Sequence, residues 1–310
     1  MKKYFLVFLA CGFLGQAQTK PVISKEEVVR IETELASDKM QGRKVFTAGI
    51  DSASVFIEKE FAKIGLDHYE GLTSYRQEFK AKGKAANNVI GVIKGQSKPE
   101  EFVVFSAHYD HLGTESGEKD TIYNGANDDA SGTTAVIALA KYFKALNQNE
   151  RTIIFVAFTA EEVGGYGSSY FSKNINPDKV VAMFNIEMIG TESKWNKNSA
   201  FITGFDKSDF GTILQKNLQG TNFNFYEDPY PEQQLFYRSD NATLAAIGVP
   251  AHTISTSKMD SEPNYHKLSD EVSTLDLDNM TEIIKAIAIS SETIINGKDT
   301  PTRIEKLQRN

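Results

Sequence analysis

Imidazoles and carboxylates recur through the middle of this 310-residue chain: His108 and Asp110 in AHYDHLG, Asp128 and Asp129 in NGANDDASG, Glu161 and Glu162 in TAEEVGGYGS, Glu187 in FNIEMIG, and His266 in NYHKLSD. Each has a plain account on its own. A histidine at a strand end commonly serves a hydrogen bond, a glutamate pair faces water, and aspartate after Gly-Ala-Asn shapes a turn. Together they ask for more, because charge at the ends of buried strands is costly and clustered carboxylates repel unless cations neutralise them. Imidazole and carboxylate without thiolate suit zinc, with cobalt or manganese as substitutes. The adjacent Asp128 and Asp129, between a glycine-containing turn and a helical run, are the centre of the pattern, and at least one is expected to face a ligand.

The elements that must bring these residues together are legible from periodicity. Val28, Ile31 and Leu35, then Val55, Phe56, Phe61 and Ile64, recur at helical spacing, with SDKMQGR as a loop between them and Gly65 as a stop. Continuous apolar runs at 102–107, 152–158 and 180–186 predict strands buried on both faces, and 88–94 predicts another. Helices are expected at 131–143, 166–172, 209–218 and 242–246, short β stretches at 200–203 and 222–226, and a strand at 250–254. A long amphipathic helix over 275–295 precedes a polar tail, 297–310, expected to fray. Alternation of strand and helix predicts a single α/β domain, a mainly parallel mixed sheet with helices on both faces. In such sheets ligands gather at the carboxyl ends of strands, where His108, Asp110, Glu161, Glu162 and Glu187 fall.

A formal charge of −7 argues against the basic surface of a nucleic-acid-binding protein. The start, MKKYFLVFLACGFLGQA, has the layout of a secretory signal peptide, with cleavage expected after Ala17 and export as the destination, bacterial periplasm or extracellular. The apolar stretch 4–14 is short for a bilayer span, so no integral membrane segment is expected in the mature chain, 18–310, whose core is about 24–295. Cys11 is the only cysteine. Lipoprotein anchoring through it is a second reading of the same segment, and the body has no disulfide in either case.

The ordered series AHYDHLG, GANDDASG, TAEEVGGYGS, FNIEMIG, YRSDN and NYHKLSD resembles the M28 metallopeptidases, the co-catalytic dizinc aminopeptidases, and SDKMQGR and NNVIGVIKG resemble that family's leading segments. The resemblance covers roughly residues 24–295. It implies a zinc-aminopeptidase, phosphorylase/hydrolase-like fold and two Zn2+ ions. It makes His108, Asp128 and Glu187 ligands of one zinc and Asp128, Glu162 and His266 ligands of the other, with Asp128 bridging and a cis peptide bond after it. It implies Asp110 as the carboxylate orienting the His108 imidazole, and Glu161 as the general base on a zinc-activated water. The substrates implied are peptides with a free N-terminus.

Two positions depart from the family pattern: Glu187 stands where aspartate is usual, and Asn241 where histidine is common. The first zinc site is thus the less secure of the two, and the loop with Asn241 reads as support or substrate contact. Tyr237 and Arg238 beside it are the substrate-facing candidates. The aromatics between Trp195 and Tyr237 are read mainly as core, with some lining a pocket for an apolar first side chain. Two other functions stay open. One is a single-zinc glutaminyl cyclase, to which Glu187 leaves room; the other is a non-enzymatic peptide-binding relative, against which the retained base and ligands argue.

Overall fold

The computed structural model describes residues 20–117 and 119–307. The expected signal segment, Cys11 and the last three residues lie outside them. Seven α-helices are described: α1 Lys25–Leu35, α2 Ala48–Ile64, α3 Ser131–Leu146, α4 Tyr166–Lys173, α5 Phe210–Asn217, α6 Asn241–Ala245 and α7 Leu277–Ile295. The strands are β1 Asp67–His68, β2 Arg76–Ala81, β3 Lys84–Ile93, β4 Lys98–His108, β5 Gly113–Thr114, β6 Ile122–Tyr123, β7 Arg151–Phe158, β8 Val180–Ile186, β9 Ser199–Ile202, β10 Asn224–Glu227 and β11 Ala251–Ser255.

Nine strands form one sheet in the order β1-β3-β7-β4-β8-β11-β9-β10, with β2 also on β3, while β5 and β6 make a separate hairpin. The four central strands, β7, β4, β8 and β11, run parallel. Antiparallel pairing enters on both flanks, through β3 with β7 and β9 with β11. The mixed α/β sheet is as expected, and the parallel centre matters most, because it puts four carboxyl ends side by side.

Period-two side-chain alternation divides the core. Val103, Phe105, Ile153, Phe155 and Phe184 point to the face covered by the larger apolar cluster, which includes residues of α1, α2, α3, α5 and α7. Val104, Ile154, Val156 and Met183 point to the other face, against Phe171 of α4 and Leu244 of α6. The helices have local causes as well. Ser24 accepts from the Glu27 amide at the start of α1, and Gly65, with φ 79°, closes α2 in a left-handed turn.

The SDKMQGR loop is built as a pair of tight 3-10 turns over 38–43, with left-handed backbone at Gln41, Gly42 and Arg43. Two expectations are corrected. Strand β2 was not foreseen; its RQEFKA alternates between exposed and buried as an outer strand does. The tail does not fray where it is described. The Ile304 and Leu307 amides donate to Gly248 and Ala246 carbonyls, Arg303 reaches the Pro177 and Val180 carbonyls, and Ile304 is buried.

Candidate metal centre

Strands β4, β7 and β8 deliver His108, the 160–162 turn and Glu187 to the carboxyl end of the sheet's parallel centre, and the segment after β11 brings His266 to the same place. The fifth contribution is the turn before α3. Asp128 and Asp129 are joined by a cis peptide bond, and both are buried. The turn is tight against the sheet at Gly132, where a Cβ would stand 2.3 Å from the Ile186 carbonyl oxygen and 2.5 Å from Asp129 Oδ2. Asp129 faces inward as a backbone brace: its Oδ1 accepts from the amides of Gly132 (3.0 Å) and Met188 (3.1 Å), tying the turn to the end of β8.

Asp128 is shared. Its Oδ1 lies 3.2 Å from His108 Nε2, which is also 3.2 Å from Glu187 Oε1. Its Oδ2 lies 3.2 Å from His266 Nε2, which is also 3.2 Å from Glu162 Oε2. A tetrahedral zinc with bonds of about 2.0–2.1 Å sets neighbouring donors about 3.3–3.4 Å apart, close to the spacing of both sets. The donor chemistry fits as well: only imidazole and carboxylate atoms converge, and the buried Asp128 Oδ2 accepts no hydrogen bond among the described residues. His108 Nδ1 donates to the Asp110 carbonyl at 3.0 Å, which leaves Nε2 directed at Asp128 and Glu187.

The electrostatics select positive charge. Burial opposes a charge on His108, yet Glu187 and Asp128 outweigh it and raise its pKa well above the usual range. Close approach to the Asp128 and Glu162 carboxylates raises His266 to about 10. Burial pushes Asp128 up, but the imidazoles of His108 and His266, with His111 behind them, bring it below the ordinary carboxylate range. Glu161 belongs to neither donor set. Loss of surrounding water, and then the negative charges of Glu187, Asp240 and Glu162, raise it well above the carboxylate range despite the opposing effect of His108. A divalent cation relieves this repulsion.

Asp110 sits differently from the expected orienting carboxylate. Its Oδ1 is 3.9 Å from His108 Nδ1, and the main-chain carbonyl makes that contact instead. The carboxylate accepts from the amides of Glu161 (3.1 Å) and Glu162 (3.3 Å), so it fixes the turn that carries both glutamates.

Glu187 is held by the SDN loop. Ser239 Oγ donates to Glu187 Oε2 at 2.5 Å and accepts from Asn185 Nδ2 at 2.7 Å, while Ser106 Oγ donates to Asn185 Oδ1. Asn241 is support: buried, it donates to the Phe236 and Ala251 carbonyls and accepts from Thr253. Tyr237 is 42% exposed and packs on Phe236, lining a surface depression of about 440 Å³ with Lys207 and Asp228. Arg238 Nη1 donates to the Gln233 carbonyl at 3.5 Å. The loop reaches the cluster through Ser239 and the buried Asp240, whose carboxyl burial lifts to about 6.

Sequence reasoning passed over His111, in the same AHYDHLG segment. Its Nδ1 is 2.9 Å from Glu162 Oε1 and 3.8 Å from Asp128 Oδ2, and its buried Nε2 has no hydrogen-bond partner among the described residues. Asp270 was passed over too. Its carboxylate accepts from the amides of Asn127 (2.8 Å) and Asp128 (3.0 Å), linking the shared aspartate to the segment that bears His266.

Comparison with known proteins places this centre. A probable zinc metalloprotease of Leptosphaeria maculans is 33% identical over 141 residues, 43% of this chain and 32% of that protein. Aminopeptidase YwaD of Bacillus subtilis is 32% identical over 120 residues, 37% of this chain and 24% of that protein. The matches thus span a third or less of these relatives. In fold, the chain is similar to the solved zinc aminopeptidase BSAP of B. subtilis, with a TM-score of 0.71, 14% identity, and coverage of 94% of this chain and 100% of that one. It is also similar to the glutaminyl cyclase of Porphyromonas gingivalis, with a TM-score of 0.69, 14% identity, and coverage of 88% and 99%. The sequence model of peptidase family M28 matches residues 88–290, the stretch from β3 to α7 that carries every residue of both donor sets, and the chain belongs to that family.

Proposed function

We propose that this chain is an exported zinc-dependent exopeptidase that hydrolyses the N-terminal peptide bond of peptides with a free amino end. The observation that carries the reading is the pair of donor sets sharing Asp128, with the Glu161 carboxyl beside them and outside both. His108, Asp128 and Glu187 would hold one ion, and Asp128, Glu162 and His266 would hold the other. Such ions, when bound, lower the pKa of water and polarise a carbonyl.

Glu161 takes the proton of the attacking water and returns it to the departing amine. Asp110 keeps that carboxyl in place through the Glu161 amide. Carboxylates in excess of the cationic charge suit the α-ammonium group of an unblocked peptide. Met188, next to Glu187, is packed in a buried apolar cluster with Phe201, Leu235 and Met259, and Tyr265 lies partly buried against it. Tyr265 also stacks on His266, ring centroids 3.9 Å apart, and suits contact with an apolar first side chain.

Zinc counting on wild type and Glu161→Gln tests the reading. Two zincs are expected in both, with turnover in the variant down about 10²–10⁴-fold. Unchanged turnover in a zinc-replete variant removes the general-base role. A single zinc in the wild type, with ring closure of glutamine-led peptides, favours the cyclase reading supported by the second fold similarity.

A further inference from the structure

Arg43 is fully buried, and among the described residues no carboxylate pairs with it within ion-pair distance. Its fork is filled by main-chain oxygens. Nε donates to Tyr109 O (2.9 Å), Nη1 to Leu35 O (2.8 Å) and Asn124 O (2.6 Å), and Nη2 to Gly125 O (2.8 Å). Burying a guanidinium costs several kcal/mol unless its donors are well satisfied, so this placement needs a structural return.

The carbonyls identify that return. Tyr109 lies between His108 and Asp110, and Asn124 and Gly125 lead directly into Asp128. The main chain of Arg43 joins in, its carbonyl accepting from the His111 amide at 3.2 Å. The left-handed backbone at Gln41, Gly42 and Arg43 turns the chain inward here. Gly42 is packed so closely that a Cβ would stand 2.2 Å from the Gly113 carbonyl oxygen. From the opposite side Asp270 holds the amides of Asn127 and Asp128. The 124–128 run is thus gripped by its carbonyls on Arg43 and by its amides on Asp270.

We propose that Arg43 is a positioning residue for the metal centre: by binding the Tyr109, Asn124 and Gly125 carbonyls together it sets the separation of His108 from Asp128, and with it the affinity for zinc. A planar five-donor fork spans four carbonyls; a lysine ammonium keeps the charge but is a single point. The proposal rests on the zinc reading above.

Arg151 supplies a matched control. It is equally buried and donates to the Ile294 and Asp299 carbonyls, Thr300 and Glu101, but at the start of β7, the end of the strand away from the centre. Wild type, Arg43→Lys and Arg151→Lys are stripped with chelator, titrated with Zn2+ against a chromophoric chelator, and melted with and without zinc. Arg43→Lys is expected to bind zinc about 10–100-fold more weakly, with excess zinc restoring turnover, while Arg151→Lys melts lower and binds like wild type. A folded Arg43→Lys with wild-type zinc affinity overturns the proposal.

If Arg43→Lys does not fold, Arg43→Gln, which keeps a planar amide donor but cannot span the four carbonyls, gives the same readout. A loss of zinc affinity in the same direction supports the proposal, and unchanged affinity in the folded variant overturns it. A wild type that binds no zinc strikes the underlying reading instead.

Discussion

The two oxygens of Asp128 face different imidazoles at equal distance, and this one side chain joins the two halves of the centre. Around it, three of the four other donors have a brace: His108 has the Asp110 carbonyl, Glu162 has His111, and Glu187 has Ser239. The last brace bears on the departure at Glu187. A glutamate carries one more methylene than the usual aspartate, and the Ser239 hydroxyl fixes the oxygen that does not face His108. Ser239→Ala is therefore expected to weaken the His108–Asp128–Glu187 site about 10-fold or more, as loss of a ligand's supporting hydrogen bond does, and to spare the other site. Stepwise zinc titration checks it; two unchanged affinities would contradict the brace.

At the scale of elements, the parallel centre of the sheet was readable because strands buried on both faces leave continuous apolar runs, and the ligands follow those runs directly. The contacts that cross between elements were not. Nothing in the spacing of His111 to Glu162, or of Asp270 to Asp128, shows that the fold sets them side by side; the first gap is 51 residues and the second 142. At Asp110 the residue's own carbonyl takes the 3.0 Å contact with His108 that is expected of its carboxylate, which stands 3.9 Å away. β2 escaped notice because Gln77 stands among its inward-facing residues, breaking the apolar alternation.

One element contact has a consequence for stability. Glu32 of α1 is fully buried, accepts from Thr134 of α3 at 2.8 Å, and burial raises its carboxyl to about 8. Folded chain then holds this proton where the unfolded chain has lost it. The resulting stability is full below pH 4.5 and is lost as pH rises toward 8, by at most about 1.4 kcal/mol per pH unit. Urea unfolding of the zinc-saturated protein between pH 5 and 8 should show Glu32→Gln with a flatter pH dependence than wild type. Equal slopes would mean that Glu32 is ionised in the fold.

At the scale of the whole molecule, no described helix is long and apolar enough to cross a membrane. Buried acids, Asp110, Asp128, Asp129, Glu187 and Asp240 among them, crowd the carboxyl end of the central strands.

The most direct measurement is zinc stoichiometry taken beside hydrolysis of matched unblocked and N-acetylated peptides. Two zincs per chain are predicted, with cleavage of the unblocked peptides that acetylation abolishes and chelation removes. Equal cleavage of blocked and unblocked peptides would contradict the account.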